Sequence, residues 1–284
     1  MKRVMQIRGY PSRHCRGFTM VELVVAMVVA TLLVGFVGMM ITTPVEAFVA
    51  QSRRAESSDS AETAMRELSN DVHKALPHSL REGMFAGVRI LEMIEVSGVA
   101  TYGTPLTWPG GDMLNINLDD ISFDAATVVP LTGPATRVVV GNGVGAGIDV
   151  YQPTTTFGVV TPPGTIVTAN ASSDRFTLSA NFRFTQDPAS KRAYLVSGVT
   201  RYECDTAAGE LRRRRPPTID AAIGPSAGPA DIIARNISAC SFQTVPASAE
   251  HGGIAIVAIT VSRAANGTAE NVRLIRQMKV ENAR

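Results

Sequence analysis

The chain predicts an α+β protein: a long N-terminal α-helix, membrane-spanning in its first half and amphipathic in its second, packed on a mostly antiparallel β-sheet head. Three observations carry this prediction. From Leu23 to Val45 no residue is charged, a run long enough to cross a bilayer as a helix. Between Ala61 and Leu76 the apolar residues Ala61, Met65, Leu68, Val72 and Leu76 recur every three or four positions, which lays a stripe along one helix face. From His78 onward the composition turns to β-branched residues, Gly, Pro and Thr, in short runs bounded by turn residues.

Four segments follow: a basic leader at 1–17, a transmembrane helix at 18–43, its amphipathic continuation at 44–76, and a β-rich head at 77–284. The leader carries Lys2, Arg3, Arg8, Arg13 and Arg16 and no acid. By the positive-inside rule it stays cytoplasmic, so the chain is expected to cross the inner membrane once with its head in the periplasm. Glu22 stands at the lip of the apolar run. A carboxylate there is costly in lipid and is retained where it has a partner. An ordinary secretory signal and an unprocessed single-pass anchor are the competing readings. Against the first, the run is too long for a signal's apolar region, and Glu22 interrupts its start.

The formal charge of +2 misleads once the leader is set aside. Without it, 22 Lys and Arg stand against 25 Asp and Glu, a net −3. A basic balance would have suggested nucleic acid or anionic lipid, and the processed chain has none. The three cysteines become two, because Cys15 lies in the leader. Cys204 and Cys240 remain in an oxidising compartment, where a bridge between them is the natural reading and two buried free thiols are the alternative. With no Cys-x-x-Cys and no nearby His pair, a zinc site is not expected.

Pro44 removes a backbone hydrogen bond and is expected to kink or break the helix, after which the period resumes at Phe48, Val49 and Ala55. Arg53, Arg54, Glu56, Glu62, Arg66, Glu67, Asp71 and Lys74 form the solvated face, with Glu62–Arg66 an attractive and Glu67–Asp71 a repulsive i,i+4 pair. Pro77 ends the pattern at Leu76, giving an element from Phe18 of roughly 85–90 Å if straight. The heptad is too short for a coiled coil. Strands are expected at Val88–Val96 (ending at Gly98), Met113–Leu118, Arg137–Val140, Arg175–Leu178, Ala193–Val199, Ile254–Val261 and Val272–Val280. A further strand is expected at Gly147–Pro153. Pro216–Pro229 reads as a long loop and Ala230–Asn236 as a short helix.

Candidate chemistry is thin. Gly141-Asn142-Gly143-Val144-Gly145-Ala146 fits the spacing of a dinucleotide fingerprint, but that chemistry needs a helix to start at the second glycine, and a hairpin loop fits the flanks better. The run Arg212–Arg215 could contact phosphate or an acidic partner, or it could be a solvated strand end entering the Pro216-Pro217 turn. No aromatic residues interleave with it to stack bases. Asp119, Asp120 and Asp124 could help hold calcium, although they match no EF-hand spacing and a polar turn explains them as well. The histidines beyond the leader are His73, His78 and His251. No nucleophile sits in a Gly-x-Ser-x-Gly elbow with a base and an orienting acid, so neither catalysis nor a cofactor is expected.

The junction Arg16-Gly17-Phe18-Thr19-Met20-Val21-Glu22, followed at once by the apolar run, resembles the processing signature of type IV prepilins and pseudopilins. The resemblance implies a pilin-like fold, cleavage by a prepilin peptidase between Gly17 and Phe18, and N-methylation of Phe18. It also implies that Glu22 meets the terminal amine of a neighbouring subunit during assembly. Further along, Thr43-Pro44-Val45-Glu46-Ala47-Phe48-Val49-Ala50-Gln51-Ser52-Arg53-Arg54-Ala55-Glu56 resembles the MshO-type minor pilins of mannose-sensitive haemagglutinin pilus biogenesis. So do Arg201-Tyr202-Glu203-Cys204-Asp205, Gly209-Glu210-Leu211-Arg212, Asn236-Ile237-Ser238-Ala239-Cys240-Ser241-Phe242 and the closing Val280-Glu281-Asn282. This likeness implies a subunit that helps assemble or initiate a type IV pilus, with other minor and major pilins, the inner-membrane assembly platform and the membrane as partners; from the charge balance of the processed chain, nucleic acid is not expected among them. The alternatives are a J-type pseudopilin of type II secretion and a tip adhesin or DNA-binding pilin.

Overall fold

A computed structural model describes residues 17–103, 111–128, 137–143, 145, 147–165, 168–170, 175–216, 218–225, 228–247, 253–265 and 268–281. Residues 1–16 of the leader, Cys15 among them, lie outside the described residues, as do Val144, Ala146, Pro217, His251 and Asn282. The chain divides into two compact units between Arg53 and Arg54.

Helix α1 (Met20–His73) spans that division. In the first unit the side chains from Phe18, just before the helix, to Met40 within it are exposed, and Met20–Met40 has a mean hydropathy of 2.6 with no part of it buried. Thr31 settles its hydroxyl on the Met27 and Val28 carbonyls at 3.0 and 2.9 Å, so the one mid-span polar side chain spends its donor on the backbone. The element continues through Pro44, so the proline does not break it.

In the second unit the helix packs one face on two sheets. Ala61, Ala64, Met65, Leu68 and Val72 are at most 1% exposed, the i, i+3, i+4, i+7, i+11 pattern of a helix seated on a core. Ala55 is exposed, as are Phe48 and Val49 in the first unit, so the buried stripe begins later than the resumed period suggests. The helix stops at His73 rather than Leu76, because the next residues are taken up by a strand. Ala75 bridges Glu95, the Leu76 amide donates to the Ile94 carbonyl and the Val96 amide to the Lys74 carbonyl.

The strands are β1 (Arg81–Phe85), β2 (Val88–Tyr102), β3 (Asp120–Val128), β4 (Arg137–Val140), β5 (Phe157–Gly158), β6 (Thr168–Asn170) and β7 (Arg175–Phe184). They continue with β8 (Arg192–Asp205), β9 (Glu210–Arg214), β10 (Ala230–Arg235), β11 (Ile237–Val245), β12 (Ile254–Ala265) and β13 (Thr268–Lys279). A large sheet runs β10-β9-β8-β2-β3-β7-β5, with β1 beside β2, β4 beside β8 and β6 beside β7; a second sheet runs β11-β12-β13. Among the described residues every strand pairing is antiparallel except β5 with β7. The spine is β2 against β8, in register from Arg89↔Cys204 to Thr101↔Arg192 with bulges on either side of Val96.

Three expectations for the strands fail, each for a physical reason. Gly98 sits in the bulged part of β2 rather than ending it, a usual place for a glycine within a strand. Met113–Leu118 forms no strand; the Asp120 carboxylate accepts from the Asn115 amide and from Asn115 Nδ2, at 2.9 and 3.1 Å, and folds the segment into a turn before β3. Gly147–Pro153 is also turn, pinned where Asn142 Oδ1 accepts from the Val150 amide at 2.8 Å. The expected helix at Ala230–Asn236 is instead strand β10 over Ala230–Arg235, because its amides and carbonyls pair with β9.

Among the described residues the core has three parts. One lies between α1 and both sheets, around Leu68, Leu91, Tyr202, Phe242 and Val257. A second fills the region of Phe123, Phe176, Phe182 and Phe184, and a third lies around Leu76, Val139, Tyr151 and Val160. The chain passes from the large sheet to the small one through a single residue, Asn236, at φ 60°, a left-handed conformation that asparagine tolerates better than most. Nearby, the Cys204–Cys240 disulfide joins β8 to β11, so the two sheets share a covalent tie.

Candidate functional site

The N-terminal junction is built by the local rules of helix starts. Thr19 is the N-cap: its Oγ1 accepts from the Glu22 amide at 3.3 Å and its carbonyl from the Leu23 amide at 3.1 Å. Thr19-x-x-Glu22 has the spacing of a capping box, and it puts the carboxylate at the positive end of the helix dipole. Glu22 therefore has a favourable local setting before any partner arrives. Sequence reasoning overlooked Thr19, whose signal was that spacing. Phe18 is 76% exposed and a side chain at Gly17 would meet nothing within 4 Å. Among the described residues nothing covers the peptide bond between them. From Met20 to Met40 the helix covers about 32 Å at 1.5 Å per residue, close to the ~30 Å hydrocarbon thickness of a bilayer.

Residues 12–38 match the family described as the prokaryotic N-terminal methylation motif. The chain carries that motif. It supports a type IV pilin-like protein, and with the apolar helix it fits a membrane-anchored pilin. In general terms the motif implies a prepilin peptidase and other pilins as partners. The match covers the N-terminal segment and leaves the head unassigned. No curated protein and no solved structure matches the chain.

In the β-rich head, the candidate residues are absorbed by structure. Arg212–Arg214 lie on β9, and the whole basic run is engaged with carboxylates. Arg212 meets Glu210 at 2.8 Å and Asp205 at 3.4 Å; Arg214 meets Glu203 at 2.8 Å; Arg215 meets Glu95 at 3.5 Å. Arg213 reaches Asp71 and Glu67 on α1 at 3.5 and 3.6 Å. This is neither a solvated strand end nor an uncompensated basic patch. Asp119 and Asp124 are held by Arg183 and Arg175 at 2.9 and 2.8 Å, and Asp120 binds its own turn. The Arg175 hydrogen bond keeps the Asp124 carboxyl below its ordinary range. Among the described residues, no group of three His, Cys, Asp or Glu side chains is placed to hold a metal ion. Among the described residues 141–143, 145 and 147–150 no helix opens, so their amides are not arrayed for a pyrophosphate.

Two buried networks went unread in the sequence. Asp71, placed by its period on the solvated face, is 9% exposed and accepts from the Tyr202 hydroxyl at 2.7 Å. Burial, with Asp71 adding to it, pushes the Tyr202 hydroxyl far above its ordinary pKa. That bond and Arg213 fasten the last turns of α1 to β8 and β9. The second network centres on Glu92, 2% exposed, which accepts from Arg201 Nε and Nη2 at 3.0 and 2.8 Å and from Arg81 Nε at 2.6 Å. The two guanidiniums then donate to the carbonyls of Asp220, Ala221 and Gly224, and Arg81 stacks 3.5 Å over the Tyr151 ring. The carboxylate thus pins the 218–225 connection onto β2 and β8.

Proposed function

We propose that the chain is a minor pilin, processed between Gly17 and Phe18 and N-methylated at Phe18, that takes part in assembling or initiating a type IV pilus of the mannose-sensitive haemagglutinin type. The observation that carries this reading is the junction itself: an exposed Gly17-Phe18 bond, a Thr19-capped helix start with Glu22 in its first turn, and a fully exposed apolar helix behind it. A helix so exposed is stable only in lipid or among other apolar helices, and a pilin exchanges the first setting for the second. Cleavage creates a cationic amine at Phe18 beside anionic Glu22. An ion pair in a poorly solvated setting forms only where geometry is good, so the pair suits registration of one subunit against its neighbour. The head acts in this reading as a non-enzymatic assembly module in the periplasm before incorporation at or near the tip.

A nucleic-acid-binding pilin is disfavoured, since its candidate run Arg212–Arg215 is already neutralised by carboxylates of the head and of α1. A tip adhesin and a J-type pseudopilin of type II secretion are the remaining alternatives; adhesion lost with fibres intact would favour the first, and secretion lost on deletion the second. Mass analysis of the protein from its native membrane tests the proposal directly. It predicts an amino terminus at methylated Phe18, and a mature chain beginning elsewhere would sink it.

A further inference from the structure

Strand β13 ends the three-stranded sheet and, among the described residues, pairs with β12 alone, so one side of its twelve residues offers unpaired backbone groups. Its charge is one-sided. The strand's single acid, Glu270, is held by Arg54 at 3.1 Å, while Arg273, Arg276 and Lys279 make no ion pair within 4.0 Å among the described residues. The head's other long basic run is neutralised residue by residue, as described above, which makes these three cations stand out. They recur every third residue, about 10 Å apart, and Ile275, 62% exposed, lies among them. Alongside the start of the strand a groove of about 530 Å³ opens between Arg54 and residues 269–272.

We propose that the β13 edge is a docking site for an extended acidic segment of another protein subunit, which adds to the sheet as a fourth strand. Backbone pairing would supply the binding, carboxylates opposite Arg273, Arg276 and Lys279 its selectivity, and Ile275 an apolar anchor. The charges decide the occupant. Two copies of this edge would set three cations against three, so a second copy is opposed. A bilayer surface meets one face of a sheet, whereas these residues alternate: Arg273 and Lys279 are exposed on the outer face, and Arg276 is half-buried on the face toward α1. Side chains that line both sides of an edge match a strand lying along it. Cations on an edge also serve simply to block pairing, and that reading predicts no binding at all.

The test uses the full chain in dodecyl maltoside micelles and a seven-residue peptide with glutamate at positions 1, 4 and 7 and valine between them, which sets carboxylates opposite Arg273, Arg276 and Lys279 and valine opposite Ile275, followed by amide hydrogen exchange. Exchange across residues 273–279 should slow at least fivefold with this peptide and not with its lysine counterpart. An Arg273→Glu, Lys279→Glu double variant, altered only at exposed positions, should lose the effect while keeping the exchange protection of β12 in the absence of peptide. Unchanged exchange, equal protection by the lysine peptide, or protection by added phosphatidylglycerol in place of the peptide would each overturn the proposal.

Discussion

Replacing Tyr202 by phenylalanine isolates the joint between α1 and the head. The ring is fully buried and stays in place, so no cavity is made. What goes is one hydrogen bond, 2.7 Å from a hydroxyl to the carboxylate of Asp71. Hydrogen bonds to charged groups contribute about 1.5–3 kcal/mol, and Asp71 retains Arg213 at 3.5 Å, which argues for the lower half of that range. A loss of about 2 kcal/mol would lower the melting temperature of a unit of this size by about 4–8 °C. The assay is urea denaturation of the full-length protein in detergent, with Tyr202→Phe, Asp71→Asn and the double variant compared. The double variant should lose less than the sum of the singles, since both remove the same bond. Strict additivity, or a loss below about 0.5 kcal/mol for Tyr202→Phe, would refute the joint.

Four other outcomes are expected. Glu92→Gln should cost about 3–5 kcal/mol, because it strands the buried Arg201 guanidinium, and thermal unfolding will show it. Cys204→Ser with Cys240→Ser should cost about 4 kcal/mol in the loop-closure account for a 36-residue separation; a variant as stable as the parent in non-reducing denaturation would contradict it. Burial lowers the pKa of His78 below 6.5. Above that pH both folded and unfolded states hold it neutral, and below it the unfolded state takes the proton first, so stability falls as pH drops. His78→Asn, which tolerates the native φ of 61°, should flatten the change in melting temperature between pH 7.5 and 5. Glu22→Ala should still insert and be cleaved but form few fibres, counted by electron microscopy; normal fibres would remove its assembly role.

How much of this was legible depended on how local the cause was. The apolar run, the stripe from Ala61 to Val72 and the strand Arg137–Val140 follow from periodicity within a few residues, and the structure has them. Ala230–Arg235 reads as a helix in isolation and becomes a strand because β9 lies beside it, a partner no short window contains. The Asp120 turn and the bulges near Gly98 likewise depend on contacts fixed only after folding. At the candidate site the difference is sharper. Glu22 is conspicuous because a charge beside an apolar run breaks a pattern. Asp71 is hidden because a carboxylate among other charged helix residues fits one, and only Tyr202, 131 positions away, reveals it as buried.

The crossing at Asn236 and the bond from Cys204 to Cys240 together close a ring of covalent chain that takes in β9 and β10 and returns to the strand it left. A protease that cut once anywhere inside that ring would not divide the molecule. Everything before the cut, α1 included, would stay attached to the three-stranded sheet through sulfur. Such a nicked subunit would migrate as one species on a non-reducing gel and as two after reduction. Its hold on the rest of its own head would outlast the continuity of its backbone.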